Sequence, residues 1–204
     1  MAKYPYLIYC DMDGVLVDFE KGVVDRINMN LKGPDPKFPT LANRVIKTLG
    51  RDYVVRNDIR KFSPEKSRTA AAYMYALVED DVDFWANLPW MRKGKELWSY
   101  ISQFDPLILT TPMDQSGKLG SREGKRIWAE KNLGIELNED SFSHKKYEKA
   151  ITDGNPCVLI DDFHTNINPW NKRLKSNDFP ELGILHKDEE YERTMRFLMA
   201  LEVL

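Results

Sequence analysis

The chain has 204 residues, enough for one domain of about 100–200 residues or for a core carrying an inserted subdomain. Apolar residues make up 42% and charged residues 30%, which excludes a disordered, collagen-like or membrane-embedded chain. Lys and Arg number 30 against 32 Asp and Glu, and a net charge of −2 gives no global drive toward nucleic acid or acidic membranes.

The elements can be taken in chain order. Tyr4–Cys10 is a compact apolar and aromatic run, suited to a strand buried on both faces of a parallel sheet. It is too short, and too soon followed by Asp11 and Asp13, for a secretion signal. Gly14 marks a turn. Phe19, Val23, Ile27 and Leu31 then recur at helical spacing until Gly33-Pro34-Asp35-Pro36 breaks the pattern. Leu41, Val45, Ile46 and Leu49 predict a second helix closed by Gly50. Ser63-Pro64-Glu65 reads as the start of a third, running to about Val78. No strand signal interrupts this block.

From Pro89 the pattern changes. Gly94–Phe104 is helical and Pro106–Thr110 is a strand. Ser121 is expected to cap a helix that Gly134 ends. Ser141–Ser143 reads as a weak strand, Lys145–Ile151 as a short helix and Asp153–Pro156 as a turn. Cys157–Ile160 and Leu182–Leu185 are strands, and a helix closes the chain through Tyr191, Met195, Leu198 and Leu201. Residues 163–190 otherwise carry little signal; Phe163–Ile167 follows the acid pair and could orient it, but reads more simply as a loop. Strands that alternate with helices predict an α/β fold with a Rossmann-like parallel sheet and right-handed crossovers. A helical block of about 70 residues between the first and second strands is too long for one crossover. It is expected to be an inserted helical cap, with residues 1–18 and 89–204 as the core and 19–88 as the cap.

Ligands of such sheets bind at the carboxyl ends of the strands. Three strands end there in Asp11-Met12-Asp13, Thr110-Thr111 and Asp161-Asp162. Any one Asp could cap a helix or make a turn. Four carboxylates gathered in one place repel one another unless protons or a cation neutralise them. Oxygen donors with no His or Cys nearby suit Mg²⁺ better than zinc. Lys145 or Lys146 could reach the same strand ends, or lie on the surface as most lysines do. Lys118, Arg122, Lys125, Arg126 and Lys131 form a basic region that is either a solvated face or an attraction for a phosphorylated substrate. The two cysteines, Cys10 and Cys157, read as buried small hydrophobes in a reducing compartment, so a cytoplasmic protein is expected.

These residues resemble the haloacid dehalogenase-like (HAD) phosphohydrolases. The motifs appear in order as Asp11-Met12-Asp13-Gly14-Val15-Leu16, Leu107-Ile108-Leu109-Thr110, a lysine, and Leu159-Ile160-Asp161-Asp162. Within that superfamily, Asp11–Glu20, Phe84–Pro89, Thr110-Thr111-Pro112 and the pair Lys125 and Trp128 are similar to the 5'(3')-deoxyribonucleotidases and their phage and bacterial relatives. Two features depart from the pattern. The lysines sit far ahead of Asp161, and the cap sequence otherwise matches poorly.

The resemblance implies a Mg²⁺-dependent phosphatase that acts through an aspartyl-phosphate, with nucleoside or deoxynucleoside monophosphates as substrates. Asp11 would be the nucleophile and Asp13 the acid and base. Thr110 and Lys146 would bind phosphoryl oxygens, Lys146 being preferred to Lys145 by motif alignment alone. Metal would be held by Asp11, the Asp13 carbonyl, and Asp162 or Asp161. Phe19, Thr111, Lys125, Phe84 and Trp85 would meet the substrate, with the cap closing over it. Asp13 separates phosphatases from dehalogenases, which lack that acid. A polynucleotide 3'-end phosphatase, a small-metabolite phosphatase, a phosphomutase and a non-catalytic HAD-like binding protein stay open as alternatives. The partner expected is a small nucleotide-like phosphate monoester rather than nucleic acid or a membrane, and a homodimer is left open.

Overall fold

A computed structural model of the chain describes residues 5–59, 68–114 and 116–202. Strand β1 (Ile8–Cys10) is followed by α1 (Phe19–Lys32), α2 (Pro39–Leu49), α3 (Arg56–Ile59), α4 (Arg68–Val78) and α5 (Val82–Ala86). Then come α6 (Gly94–Ile101), β2 (Leu107–Ile108), α7 (Gly120–Leu133), β3 (Ile151–Thr152), β4 (Asn155–Pro156) and β5 (Val158–Asp161). The chain closes with α8 (His164–Lys175), β6 (Gly183–Leu185) and α9 (Tyr191–Leu201). Among the described residues no helix is long and apolar enough to cross a membrane.

The architecture is α/β. Four parallel strands form one sheet in the order β2-β1-β5-β6. Every residue of β1 and β5 is buried, as expected of central parallel strands made of continuous apolar residues. Helix α8 connects β5 to β6 and turns Ile167, Trp170 and Leu174 inward. The Trp170 indole donates to Cys157 O at 3.1 Å, and its ring meets Tyr9 edge-on at 5.8 Å. Strands β3 and β4 form a separate antiparallel hairpin. Its turn residues Asp153 and Gly154 both have positive φ, 51° and 76°, the two-residue geometry that matches strand twist.

The chain divides into two compact units. One comprises Met1–Asp18, Trp90–Pro112 and Leu137–Leu204, and holds the sheet. The other comprises Phe19–Pro89 and Met113–Glu136. Residues 113–136 therefore group with the helical block, whereas the sequence pattern assigned them to the core. The reason is the close packing of α7 on α5. A Cβ at Gly124 would lie 2.3 Å from the Trp85 Cβ and 2.7 Å from Val82 O, so only hydrogen fits. The Trp128 indole donates to Leu88 O at 2.8 Å.

Other differences are local. Ser121 does not cap α7. It lies inside the helix, buried, and its hydroxyl accepts the Met113 amide at 2.9 Å. Ser141–Ser143 adds no strand to the sheet: Phe142 makes an isolated bridge to Thr110, and Glu139–Ser141 is a 3-10 turn. The expected helix at Lys145–Ile151 is a 3-10 turn over Lys146–Lys149. Phe163–Ile167 is no loop, since α8 starts at His164. The helix start expected at Ser63-Pro64-Glu65 lies outside the described residues.

Candidate active site

Parallel pairing sets the site at one end of the sheet. Cys10 lies opposite Ile160, and the Asp11 amide continues the ladder to Ile160 O at 2.9 Å. Asp11 and Asp161 therefore leave adjacent strands at the same level. On the other side of β1, the Leu109 amide donates to Cys10 O at 3.0 Å and places the buried Thr110 next in line. The Thr110 amide and carbonyl are taken by Ser141 O and Ser143 N–H, at 2.8 and 2.9 Å. That bridge fixes the start of the segment leading to Lys146.

Lys146 is 1% exposed, and its ammonium joins the two strand ends. Its Nζ lies 2.9 Å from Asp11 Oδ2 and 2.6 Å from Asp161 Oδ2. Lys145 is exposed and pairs with Glu148 at 3.9 Å. The Asp11 Oδ1 accepts the Met12 amide at 2.7 Å, so both oxygens of this carboxylate are held. Asp161 is held more fully. Its Oδ1 accepts the Phe163 amide at 2.8 Å, and Asn166 Nδ2 reaches Oδ1 and Oδ2 at 3.1 and 3.0 Å. The Phe163 amide and Asn166, at the start of α8, thus hold Asp161 together with Lys146.

Asp162 is different. Its carboxylate accepts no hydrogen bond among the described residues and lies against Gly14. A Cβ built at Gly14 would fall 2.2 Å from Asp162 Oδ2, and the Gly14 φ is +75°. The backbone favours glycine there, and only glycine leaves the Asp162 carboxylate where it lies. Ligand atoms of Asp11, Asp161 and Asp162 all lie within 4.8 Å of one another. Asp13, expected in the same group, is not one of these three; it is half-buried, and its backbone bridges to Val17.

The electrostatics follow from burial and crowding. Burial and the charges of Asp11 and Asp161 push the Asp162 carboxyl up to about 7, with Lys187 pulling the other way. Burial and Asp11 raise Asp161 to about 6 against the pull of Lys146. Burial alone would lower the Lys146 ammonium, but Asp11 and Asp161 more than offset it and hold it above the ordinary lysine value. Three carboxylates stand against the buried Lys146 ammonium and the charge of Lys187, so negative charge is left over when all are ionised. A divalent cation bound by oxygen donors fits that deficit, and hard cations such as Mg²⁺ suit an all-carboxylate set. Asp11 and Asp162 are the carboxylates with acceptor capacity to spare, because Asp161 is already saturated by Lys146, Phe163 and Asn166.

Thr111, exposed in the first unit, donates its hydroxyl to Ser143 O at 3.0 Å. Phe19, Phe84, Trp85 and Lys125 lie in the second unit, where they pack on one another. Phe19 stacks on Trp85 at 5.2 Å and 15°, Phe84 meets Trp85 edge-on at 5.3 Å, and the Lys125 ammonium lies 5.2 Å from the Trp85 ring. The basic region around Lys125 is largely paired: Arg122 with Asp114 at 2.7 Å, Lys118 with Glu79 at 3.4 Å and Arg126 with Glu123 at 3.7 Å. Sequence reasoning did not single out Lys187, and it placed Asn166 only within Phe163–Ile167, a segment that could orient the acid pair but read as a loop. An Asn in the first turn after an acid pair was a readable cue for Asn166. Nothing in the sequence marks Lys187 among 30 basic residues.

The chain matches no protein-family model and has no significant match among curated proteins.

Proposed function

We propose that the protein is a Mg²⁺-dependent phosphomonoesterase of HAD type that works through an aspartyl-phosphate, with nucleoside or deoxynucleoside monophosphates as its substrates. The observation that carries this reading is the buried Lys146 ammonium joining Asp11 to Asp161 at the ends of neighbouring parallel strands, with the open Asp162 carboxylate beside them. A sheet with a helical block inserted between β1 and β2 fits a HAD core and cap, and the buried free cysteines fit a cytoplasmic protein. The nucleotide preference rests on the likeness of residues 11–20, 84–89 and 110–112 to the deoxyribonucleotidases.

In this mechanism the metal would be held by Asp11, Asp162 and the Asp13 carbonyl, and it would supply the positive charge that lets a carboxylate approach a phosphate dianion. An Asp11 carboxylate oxygen attacks phosphorus, a new O–P bond forms, and the bond to the leaving oxygen breaks. Asp13 gives that oxygen its proton. Asp13 then takes a proton from water, which attacks the phosphorus of the aspartyl-phosphate and frees phosphate and Asp11. Lys146 keeps the nucleophile oriented and, with Thr110, balances charge on the phosphoryl oxygens.

The test is phosphate release from a panel of ribo- and deoxyribonucleoside 5'- and 3'-monophosphates, sugar phosphates and 3'-phosphorylated oligonucleotides, with Mg²⁺ or EDTA. Metal-dependent release that favours deoxynucleotides and vanishes in Asp11→Asn is expected. Release favouring the oligonucleotides would move the assignment to end repair. Absence of release from every member would reject the phosphatase reading.

A further inference from the structure

The β5–β6 ladder ends with a hydrogen bond from the His186 amide to Asp161 O, at 2.9 Å. The next residue, Asp162, lies one past the end of β5, where the strand pairing has stopped. A backbone carbonyl withdrawn from water needs a donor. The Asp162 carbonyl accepts from the ammonium of Lys187, which follows the last paired residues of β6. Lys187 makes this contact to a peptide oxygen rather than to a carboxylate, so it fixes geometry besides lending charge.

Its place in the chain is held on both sides. The Lys187 backbone is extended, with φ −133° and ψ 134°, so its neighbours' side chains leave on the opposite face. The buried His186 ring is tied to α9 through Nδ1 and Thr194 Oγ1, 2.9 Å apart. Asp188 accepts the Lys93 amide at 2.7 Å and the Arg92 Nε–H at 3.1 Å. The Lys187 carbonyl accepts the Glu190 amide at 2.8 Å. Three consecutive side chains thus reach three different segments, and the ordering cost of the lysine is largely met before it bonds.

We infer that Lys187 is a positioning residue for Asp162, fixing its peptide so that the carboxylate stays against Gly14 and faces Asp11. The inference rests on the proposed reading of Asp162 as a cation ligand. Without the ammonium, the Asp162 peptide is free to turn and carry the carboxylate away from Asp11. Partners that orient a ligand without touching the metal commonly change affinity by about 10–100-fold when removed. The sign of the effect discriminates. Deleting a cation beside a metal site would, by relieving Coulomb repulsion alone, tighten metal binding. Loss of positioning weakens it.

The experiment is Mn²⁺ binding to the full chain, read as free Mn²⁺ by electron paramagnetic resonance, with no substrate present. Wild type is compared with Lys187→Met, Lys187→Gln, Lys187→Arg and Asp162→Asn, with melting in EDTA as the check on folding. Both neutral variants should bind about tenfold more weakly at unchanged melting temperature, and Lys187→Arg should recover most of the loss. Neutral variants that bind as wild type does, or more tightly, overturn the inference and leave the metal reading standing. Wild type and Asp162→Asn that bind alike would overturn the metal reading and this inference with it.

Discussion

Asp11 has both carboxylate oxygens held in place by its own chain, one by the Met12 amide at 2.7 Å and the other by Lys146 at 2.9 Å. Replacing it by Asn keeps the shape and presents an amide to the Lys146 ammonium. Asp11→Asn should therefore fold, keep its melting temperature within a few degrees, and lose turnover by a factor of at least about 10³, the scale on which a nucleophile's removal is felt. Steady-state phosphate release checks this, and activity near wild type would remove Asp11 from the nucleophile role. Gly14 acts at the same scale by what it lacks. Any side chain there would occupy the position of the Asp162 carboxylate and would have to adopt φ +75°. Gly14→Ala should cost about 1–3 kcal/mol of stability from backbone strain. It should also weaken divalent-cation binding, because the carboxylate must move. Calorimetric titration with Mg²⁺ separates the two effects, and unchanged affinity would show that Asp162 does not bind where it lies.

At the scale of elements, α7 against α5 decides how the second unit is built. Gly124 sits in the middle of α7, where alanine would gain roughly 1 kcal/mol of helix propensity. Against that gain stands a Cβ 2.7 Å from a backbone oxygen, which cannot swing aside as a side chain could. Overpacking typically costs about 1–3 kcal/mol, so Gly124→Ala should be neutral at best and destabilising by about 1–2 kcal/mol on balance. Urea unfolding measures it, and a stabilised variant would mean that α7 shifts freely on α5. The same helix shows where sequence reading reaches its limit. Its apolar spacing and its Gly134 stop were legible, because periodicity and a left-handed cap are local properties. Its membership was not, because the cue is a glycine whose missing side chain matters only once α5 is in place. Helix α8 was illegible for another reason. Its sequence is polar and carries Pro169, and only Ile167, Trp170 and Leu174 mark the buried stripe. The acids at the ends of β1 and β5 were legible, since parallel strands bring their last residues to one edge. Asn166 and Lys187 act through contacts made after the chain turns, one from a helix start and one from the neighbouring strand's end. The position of Asn166 just after the acid pair hints at the first of these contacts, and no spacing in the sequence reports the second.

For the molecule as a whole, stability carries the signature of the buried ionisable groups. A cation that binds only the folded chain adds about 2.7 kcal/mol at a hundred times its Kd, so Mg²⁺ should raise the melting temperature, EDTA should reverse it, and Asp162→Asn should abolish the response. In EDTA the pH dependence comes from the protein alone, and two opposing contributions meet. Asp161 and Asp162 have carboxyls raised to about 6 and about 7. Above their ordinary value of 3.8 the folded chain holds protons that the unfolded chain has released, so their contribution to stability falls as the pH rises from about 4 to 7. His186 works in reverse. Its ring is fully buried, Nδ1 is engaged by Thr194, and Nε2 has no hydrogen-bond partner among the described residues. Burial lowers its pKa to about 4 from 6.5, with Lys187 adding to the shift while Asp188 and Glu189 resist it. Between those values the unfolded chain binds a proton that the folded chain refuses, so the contribution of His186 is complete above about 6.5 and lost as the pH falls toward 4. At about 1.4 kcal/mol per pH unit the loss is roughly 3 kcal/mol. The two contributions partly cancel in the wild type, so the informative quantity is the difference from His186→Gln, which lacks the second one. That difference in unfolding free energy, measured with urea in EDTA, should shrink by roughly 3 kcal/mol between pH 7 and pH 4. A difference that stays constant across that range would mean the imidazole reaches solvent well enough to protonate in place.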